Sequence, residues 1–247
     1  MRATAFLTCI LTASAATQAM AQGMAQEGFT IGPGGLFSTS PYIGEDDDAR
    51  FIPILRYQGQ NWRIGTDGAA VGLYDRNAFS AEAILLPRFS ALPDDNDELD
   101  GIDRQITLDG GLSLNYALSD RTRVTARILQ EVTGEHDGQE VDLLLRSQVI
   151  SGPVPLSIAG GMSWKSDALG SYLFGVEGDE ATDNRPAYDV DGSVTPFVTF
   201  SSGYSFNETV RLIGSVRVEF LPDEVTNSPI VEDDTITSGF LGVQLSF

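Results

Sequence analysis

From residue 78 onwards, apolar side chains occupy every second position over segments of about ten residues, and turn-forming residues separate these segments. In one of the clearest, Ile106, Leu108, Leu112 and Leu114 share a face that alternates with mostly polar or small side chains. A period of two is typical of β-strands, because successive side chains point to opposite faces. After residue 21 no run of about 18 apolar residues occurs, which excludes a transmembrane helix. The alternation alone fits both a membrane β-barrel and a soluble β-sandwich.

The chain ends in such a segment, Ile236 to Phe247. On one face of this final strand, Leu241, Val243 and Leu245 lead at every second position to the C-terminal Phe247. This ending resembles the assembly signal of outer-membrane β-barrels. It predicts insertion into a Gram-negative outer membrane, with the barrel-assembly machinery, outer-membrane lipid and lipopolysaccharide as partners.

Three further features favour the membrane barrel over the sandwich. The connections alternate between tight turns, at 119–120, 151–153 and 207–208, and long acidic loops, at 90–104, 166–192 and 221–235. Aromatic side chains collect near the strand ends, as interfacial girdles require. The candidate strands number twelve, an even count that closes a barrel with both termini on the same rim. The predicted fold is all-β: a closed antiparallel transmembrane β-barrel of about 12 strands with short periplasmic turns and long acidic extracellular loops.

The shortest candidate strands lie between residues 61 and 74. Asn61 to Thr66 and Ala69 to Tyr74 flank the dipeptide Asp67-Gly68, which is a hairpin signal. Both segments are shorter than the roughly 9 to 11 residues expected of a membrane-spanning strand. The pattern therefore predicts a hairpin here without defining the ends of its strands.

Residues 1–21 differ from the rest of the chain. Arg2 precedes a short apolar run, and Ala19-Met20-Ala21 supplies a cleavage site with small residues at both ends. These features predict a cleaved secretory signal peptide, 1–21, followed by a single barrel domain, 22–247. Cys9, the one cysteine, lies within that signal, so the mature chain has no thiol for a disulfide or a metal.

The chain is strongly acidic. It contains 35 acidic and 15 basic residues, and loss of Arg2 with the signal leaves 35 against 14, a formal charge of −21. Such a charge argues against nucleic acid as a partner, because phosphate backbones are recognised by basic surfaces.

Three motifs carry a family resemblance. The first contains Gly32, Gly34, Pro41, Tyr42, Gly44, Pro53 and Tyr57; the second is Ser171 to Val176 with Pro186-Ala187-Tyr188; the third is Ser228-Pro229-Ile230-Val231. In this order they resemble the MltA-interacting protein (MipA/OmpV) family of outer-membrane proteins, and the similarity spans essentially the whole mature chain. Leu245 departs from the family, whose members often carry Tyr there, but it keeps the position apolar.

The resemblance implies location more firmly than activity. The founding member is described as a scaffold that joins a lytic murein transglycosylase to a murein synthase, and others as surface antigens or adhesins. It therefore implies a non-enzymatic scaffold or interaction role in the cell envelope, with a murein transglycosylase or synthase as partner, and leaves a surface adhesin or antigen as an alternative. It supplies no catalytic residue, metal or cofactor.

Few residues suggest chemistry. His136, the one histidine, lies in a connection beside Glu135 and Asp137, and the expectation is a solvated loop residue because catalysis needs a constellation. The acidic runs 45–48 and 94–98 contain oxygen ligands that suit a divalent cation, but neither has the spacing of a Ca²⁺ loop. Solvated loops are the favoured interpretation of both runs.

The charges on the polar strand faces are more informative. If the apolar faces meet lipid, ten charged side chains point into the lumen: Glu82, Arg88, Asp109, Arg127, Glu131, Asp142, Arg146, Arg211, Arg217 and Glu219. The two signs are equally represented, which favours mutual pairing across a plugged lumen, because buried charges are normally paired. A narrow channel for small solutes is the alternative.

Overall fold

The computed structural model describes residues 27–45, 47–89, 96 and 98–247. The predicted signal peptide therefore lies outside the described residues. Within those ranges the chain forms twelve strands and two short helices, α1 (Asp167–Phe174) and α2 (Asp223–Thr226). The strands are β1 (Gly28–Ser38), β2 (Asp48–Gln58), β3 (Trp62–Gly65), β4 (Gly68–Arg76), β5 (Phe79–Arg88), β6 (Thr107–Ala117), β7 (Thr122–Glu131), β8 (Gln139–Ile150), β9 (Leu156–Lys165), β10 (Ser193–Ser205), β11 (Val210–Phe220) and β12 (Thr235–Ser246).

The sheet closes on itself. Every strand pairs antiparallel with its neighbours in sequence, and β1 pairs with β12, with Thr30 opposite Ser246 and Ser38 opposite Ser238. The predicted closed barrel of twelve antiparallel strands is confirmed. The residues between 61 and 74 do form a hairpin, β3–β4, although β3 is only four residues long.

The two rims of the barrel differ. Tight connections at one rim, here called the turn rim, join the strands at 59–61, 77–78, 118–121, 151–155 and 206–209. The start of β1 and the end of β12 lie together at this rim. The Phe29 N–H donates to the Phe247 carbonyl at 3.1 Å, and the Phe247 N–H donates to the Phe29 carbonyl at 2.9 Å. The longer connections lie at the opposite loop rim, and two of them contain α1 and α2, which the strand pattern does not predict.

The barrel is apolar on its outside. Side chains that alternate outward include Phe51, which is 73% exposed, and Leu241, which is 60% exposed. Neither helix in the described part of the chain is long and apolar enough to cross a membrane. An outward apolar belt above a turn rim is the surface that a strand-built membrane protein presents to lipid.

The loops at the loop rim pack into a small hydrophobic core of their own. This loop cap is defined by ten buried residues that come from four connections: Tyr42, Leu99, Ile102, Leu169, Leu173, Phe174, Val176, Val190, Val225 and Ile230. Hydrogen bonds tie the connections together: the Tyr42 hydroxyl donates to the Leu173 carbonyl at 3.0 Å and the Ser228 hydroxyl to that of Phe174 at 2.5 Å. The Arg185 guanidinium donates to the carbonyls of Glu98 and Asp100. The connections at the loop rim therefore form packed structure.

Candidate functional site in the lumen and the loop cap

Arg88 is the centre of a buried charge network on the inner face of β5 to β9. Its side chain is 2% exposed, and Nη2 lies 2.6 Å from a carboxylate oxygen of Asp109 and 2.6 Å from one of Glu140. The Ser163 hydroxyl donates to the second oxygen of Glu140 at 2.6 Å. One guanidinium thus holds two carboxylates from strands that are far apart in sequence, which compensates the cost of burying all three charges.

Other lumen charges also form pairs. Arg127 lies 2.6 Å from Asp142 on the neighbouring strand. Arg217 lies 2.7 Å from Glu219, and its guanidinium carbon stands 3.5 Å from the centroid of the Phe197 ring. Glu82 is 3.1 Å from Arg63 of β3. Of these contacts, Arg127–Asp142 joins neighbouring strands, Arg63–Glu82 joins β3 to β5 across β4, and Arg217–Glu219 lies within β11.

Glu131 behaves differently from the other members of the predicted set. It lies at the loop-rim end of β7, where its carboxylate accepts hydrogen bonds from the backbone N–H groups of Gly134 at 2.8 Å and Asp137 at 3.1 Å. It also binds both the N–H and the hydroxyl of Thr133. Glu131 therefore organises the 132–138 connection instead of pairing across the lumen.

Three arginines lie together on the inner faces of β7 and β8. Arg123 stands directly opposite Arg146 in the ladder, and Arg127 follows four positions later on the same face. Two like charges directly opposite each other destabilise a strand pair. Arg211 also points inward, from the turn-rim end of β11. The turn-rim end of β7 and β8, around Arg123 and Arg146, is therefore cationic, whereas Arg127 is paired with Asp142.

Sequence reasoning missed several members of the network. Glu140 and Lys165 both lie on polar faces, at the ends of β8 and β9, and stand opposite each other in the ladder. Glu140 lies two positions before Asp142, and Lys165 two positions after Ser163, so alternation along the strand places both on the inner face. Arg63, on the short β3, is the third omission. The sequence does not show which residues of β3, β4 and β5 stand opposite each other, so it could not predict the Arg63–Glu82 pair.

His136 is not the solvated residue that the sequence predicts. Its ring stacks on Tyr172 of α1 with centroids 4.4 Å apart, and Nδ1 accepts the Gly138 N–H at 3.0 Å. Burial, reinforced by the charge of Arg88, lowers the pKa of His136 to about 4. The imidazole is therefore neutral at ordinary pH and packs the 132–138 connection against α1. Its other nitrogen, Nε2, is buried without a hydrogen-bond partner among the described residues.

The residues of the first family motif build the β1–β12 seam and the loop cap. A Cβ on Gly32 would lie 1.7 Å from the Val243 carbonyl oxygen, so the two strands approach too closely for any side chain there. At Gly34 it would lie 2.8 Å from the Phe240 ring. Gly44 has a positive φ of +69°, which suits glycine in the turn after Tyr42.

The other motif residues also hold strands and loops together. The Pro41 carbonyl accepts the Glu232 N–H at 2.8 Å, and the Tyr57 ring contacts Phe29, with centroids 4.6 Å apart. Pro53 lies on β2 directly opposite Pro33 of β1. These positions serve architecture, and none of them lies among groups suited to catalysis.

The residues of the predicted assembly signal line the outside of β12. Leu241 and Phe247 are strongly exposed, and Val243 and Leu245 are half-exposed on the same face. Phe240 and Gln244 point inward and are buried. The apolar face of the last strand is thus the one that meets lipid.

The acidic runs do not converge on a cation site in the described part of the chain. No group of three or more His, Cys, Asp or Glu side chains suited to a metal occurs among the described residues. Asp46 and residues 94, 95 and 97 lie outside them. Elsewhere in the cap, Glu180 pairs with Arg104, and this pairing lowers the pKa of Glu180 against the opposing effect of burial.

A shallow groove marks the turn rim at the β4–β5 turn. It has a volume of about 470 Å³ and is lined by Tyr74, Arg76, Asn77, Ala78, Phe79 and Tyr116. Two of the aromatic rings, Tyr74 and Phe79, lie 5.8 Å apart. Aromatic side chains with a nearby cation are typical of the interface between membrane and water.

A closed barrel of twelve strands, apolar outside and charged inside, with tight turns at one rim and a loop cap at the other, defines an outer-membrane β-barrel protein. The family model described as MltA-interacting protein MipA matches residues 31–247. The chain belongs to this family.

Curated relatives agree over most of their length. The putative outer membrane protein YiaT of Escherichia coli K12 is 26% identical over 234 residues, covering 92% of this chain and 94% of the relative. The MltA-interacting protein of the same strain is 26% identical over 230 residues, covering 90% of each chain. Outer membrane protein Omp26La of Vibrio anguillarum is 31% identical over 212 residues, covering 83% of this chain and 82% of the relative. The predicted family and outer-membrane location are confirmed.

Proposed function

We propose that this protein is a non-enzymatic scaffold of the outer membrane that holds a murein-cleaving or murein-synthesising enzyme at its periplasmic face. The observation that carries the proposal is that buried ion pairs around Arg88 join strands along the inner wall while the loop-rim connections pack into the loop cap. A barrel stiffened in this way is suited to presenting a fixed surface. One relative is named MltA-interacting protein, which supports a murein transglycosylase as the class of partner.

The turn rim is the surface that we assign to this partner. In bacterial outer-membrane barrels short turns face the periplasm, where murein lies. Two arginines are exposed on this rim: Arg76, which lines the groove at the β4–β5 turn, and Arg121, in the β6–β7 turn. Cationic side chains beside an aromatic groove suit an acidic docking surface, and charge complementarity raises the rate of encounter.

Affinity capture from detergent extracts tests the scaffold. The full-length chain is expected to retain a murein transglycosylase or synthase from its own organism, and the double variant Arg76→Glu/Arg121→Glu is expected to lose it. A matched control reverses two exposed charges on the loop rim, Asp223→Lys/Glu232→Lys, and is expected to retain the partner. No capture by the unaltered chain, or equal capture by both variants, would contradict the proposal.

A narrow channel for small anions is a second candidate function. Arg123, Arg127 and Arg146 favour it, because they place cationic groups on one inner face of the barrel. Refolded protein in planar bilayers would then give steady unitary currents with anion preference, reduced by Arg127→Gln. A silent bilayer would count against the channel and leave the scaffold intact.

The last strand is proposed to direct assembly of the barrel. Because Phe247 ends the lipid-facing row of β12, deletion of Phe247 is expected to lower the amount of folded protein in the outer membrane. The comparison is a Ser246→Ala variant, which changes the neighbouring residue and keeps the terminal ring. Normal outer-membrane levels of the truncated chain would show that this residue is dispensable for recognition.

A further inference from the structure

The barrel wall is incomplete beside β3. The β3–β4 hairpin turns at Thr66–Asp67, partway up the wall, and β3 pairs with β2 only at Arg56, Tyr57 and Gln58. Above the turn, residues 49–53 of β2 have no strand on that side among the described residues. Residues 86–88 of β5 likewise extend beyond the last pair with β4, Ala69 with Leu85. We call this opening the wall notch.

The size of the wall notch follows from strand geometry. Five residues of β2 correspond to about 16 Å along the strand at roughly 3.3 Å per residue. At the level of the turn, β2 and β5 are three strand spacings apart, or about 14 Å. The outward belt continues on both sides of the opening, through Phe51 on β2 and Leu85 on β5. The notch therefore opens onto the hydrocarbon region of the membrane.

The backbone at the edges of the notch is protected. The Thr66 N–H donates to the Leu55 carbonyl at 2.9 Å, so the odd-numbered residues of β2 direct their backbone groups to this side. Pro53 is one of them and has no N–H to leave unpaired, and its carbonyl accepts the Thr66 hydroxyl at 3.1 Å. Just before β5, the Ala78 carbonyl accepts the Ala117 N–H of β6, so the even-numbered residues of this strand direct their backbone groups to β6. Pro87 is odd-numbered, and its backbone therefore faces the notch.

The two edge prolines indicate what the notch does not bind. A strand from another protein would need backbone donors on β2 and β5, and proline at each edge removes one. In lipid, every unpaired backbone group costs several kcal/mol, so each donor that proline removes lowers the cost of an edge without a partner strand. These features favour an occupant that forms no hydrogen bonds.

Behind the notch two apolar clusters line the lumen, beside the inward-facing Arg50 of β2 and Arg88 of β5. Leu36 and Ile54 are buried on the inner face on one side, together with Ile213 and Phe240, and Ile52 packs against them. On the other side Ala70, Ile84 and Leu129 form a second buried cluster with Leu86 against it. The notch thus leads from hydrocarbon outside to apolar side chains inside, and it lies apart from the Arg127–Asp142 side of the barrel.

We infer that the wall notch is a binding site for an acyl chain of a membrane lipid, which enters sideways from the bilayer and packs against the apolar side of the lumen. The membrane supplies such chains directly at the opening. The chain needs no hydrogen bonds, which matches the proline edges, and it gains apolar contact on both inner clusters. The ion pair of Arg56 with Asp67 fixes the hairpin turn that forms the floor of the site.

Short-range quenching by lipids tests this site. The predicted mature chain has no cysteine, so Ile52→Cys carries one fluorescent label beside the notch, and Thr199→Cys carries it on the inner face of β10 as a control. In vesicles of phosphatidylcholine with brominated acyl chains, the label at 52 is expected to be quenched several-fold more than the label at 199. Equal quenching at the two positions would overturn the inference.

A second variant separates entry through the notch from general lipid contact. Lengthening each strand of the β3–β4 hairpin by four residues, Thr-Val-Thr-Val, adds about 13 Å at roughly 3.3 Å per residue and closes most of the opening between β2 and β5. Quenching at position 52 is expected to fall to the level at position 199, while heat-modifiable migration reports that the barrel is folded. Unchanged quenching would overturn entry through the notch. Two other results would overturn a membrane lipid as the occupant. One is quenching only by free brominated fatty acid, and the other is a dimer of this protein that the longer hairpin abolishes.

Discussion

Two sides of the same barrel wall are held together by different means. From β5 to β9 the strands have ten or more residues each, and Arg88, Asp109 and Glu140 join them inside by buried ion pairs. From β2 to β4 the wall contains a four-residue strand, and the ion pairs on its inner face, Arg56 with Asp67 and Arg63 with Glu82, are more exposed. The first side is tied together by a buried network, whereas the second is interrupted by the short hairpin and has only half-buried pairs. The same closed topology therefore contains a continuous side and an interrupted one.

The largest expected effect comes from breaking the charged side. Arg88→Met leaves Asp109 and Glu140 buried without their cation, and removal of one partner from a buried pair costs about 3–5 kcal/mol. We expect a matching fall in the free energy of unfolding by urea in detergent micelles. Arg76→Met, at an exposed rim position, is the control and is expected to change it by less than about 0.5 kcal/mol.

A triple variant checks the reason for that loss. Arg88→Met/Asp109→Leu/Glu140→Leu removes the whole network, and such replacements of buried ion pairs are often neutral or stabilising. Recovery of stability would identify the uncompensated carboxylates as the cause. A triple variant as unstable as Arg88→Met would instead point to lost packing around the guanidinium.

The β1–β12 seam gives the next largest effect on stability. Gly32→Ala places a methyl group against the Val243 carbonyl, and overpacking of this kind costs about 1–3 kcal/mol. Gly35→Ala on the same strand is the matched control, because its nearest atom would be 3.9 Å away. Thermal unfolding in micelles is expected to separate the two variants, and equal midpoints would contradict a tight seam.

On the notched side a smaller change is expected. Asp67→Asn removes the charge partner of Arg56 at the hairpin turn, and the half-exposed pair is worth about 1 kcal/mol or less. Global stability is expected to change little, while amide exchange at β3 and β4 becomes faster. Faster exchange throughout the barrel would mean that the hairpin does not open independently.

The most local effect concerns the loop cap and pH. Burial lowers the pKa of His136 to about 4 in the folded cap. In the unfolded connection His136 binds a proton near pH 6.5, whereas in the packed connection it stays neutral until the pH nears 4. Stability of the cap is therefore expected to fall as pH drops from about 6.5 towards 4, and to be constant above that range. Proteolysis of the loops as a function of pH measures this, and His136→Gln is expected to remove the dependence. A dependence that survives in the variant would assign it to other groups.

Much of the barrel could be predicted from the sequence because the signal is local. Alternation identifies a strand without knowledge of its neighbours, and the short segments on either side of Asp67-Gly68 already indicated an unusual hairpin. Ion pairs depend on register between distant strands, so the contact of Arg88 with Glu140, 52 positions away, could not be predicted. The same limit hid the loop cap, where Leu99, Leu169 and Ile230 are scattered among acidic residues and become a core only after the barrel brings the loops together.

The pairing of β1 with β12 has a consequence for how the molecule forms. Thr30 and Ser246 share a hydrogen bond across 216 positions of the chain. Contacts between such distant segments require the loop between them to close first, so they form late and slowly. Until the C-terminal strand has been exported and aligned, the growing sheet has two open edges and an apolar face in water. Shielding of those edges during transit is therefore a requirement of this architecture, and the last residues of the chain complete the wall.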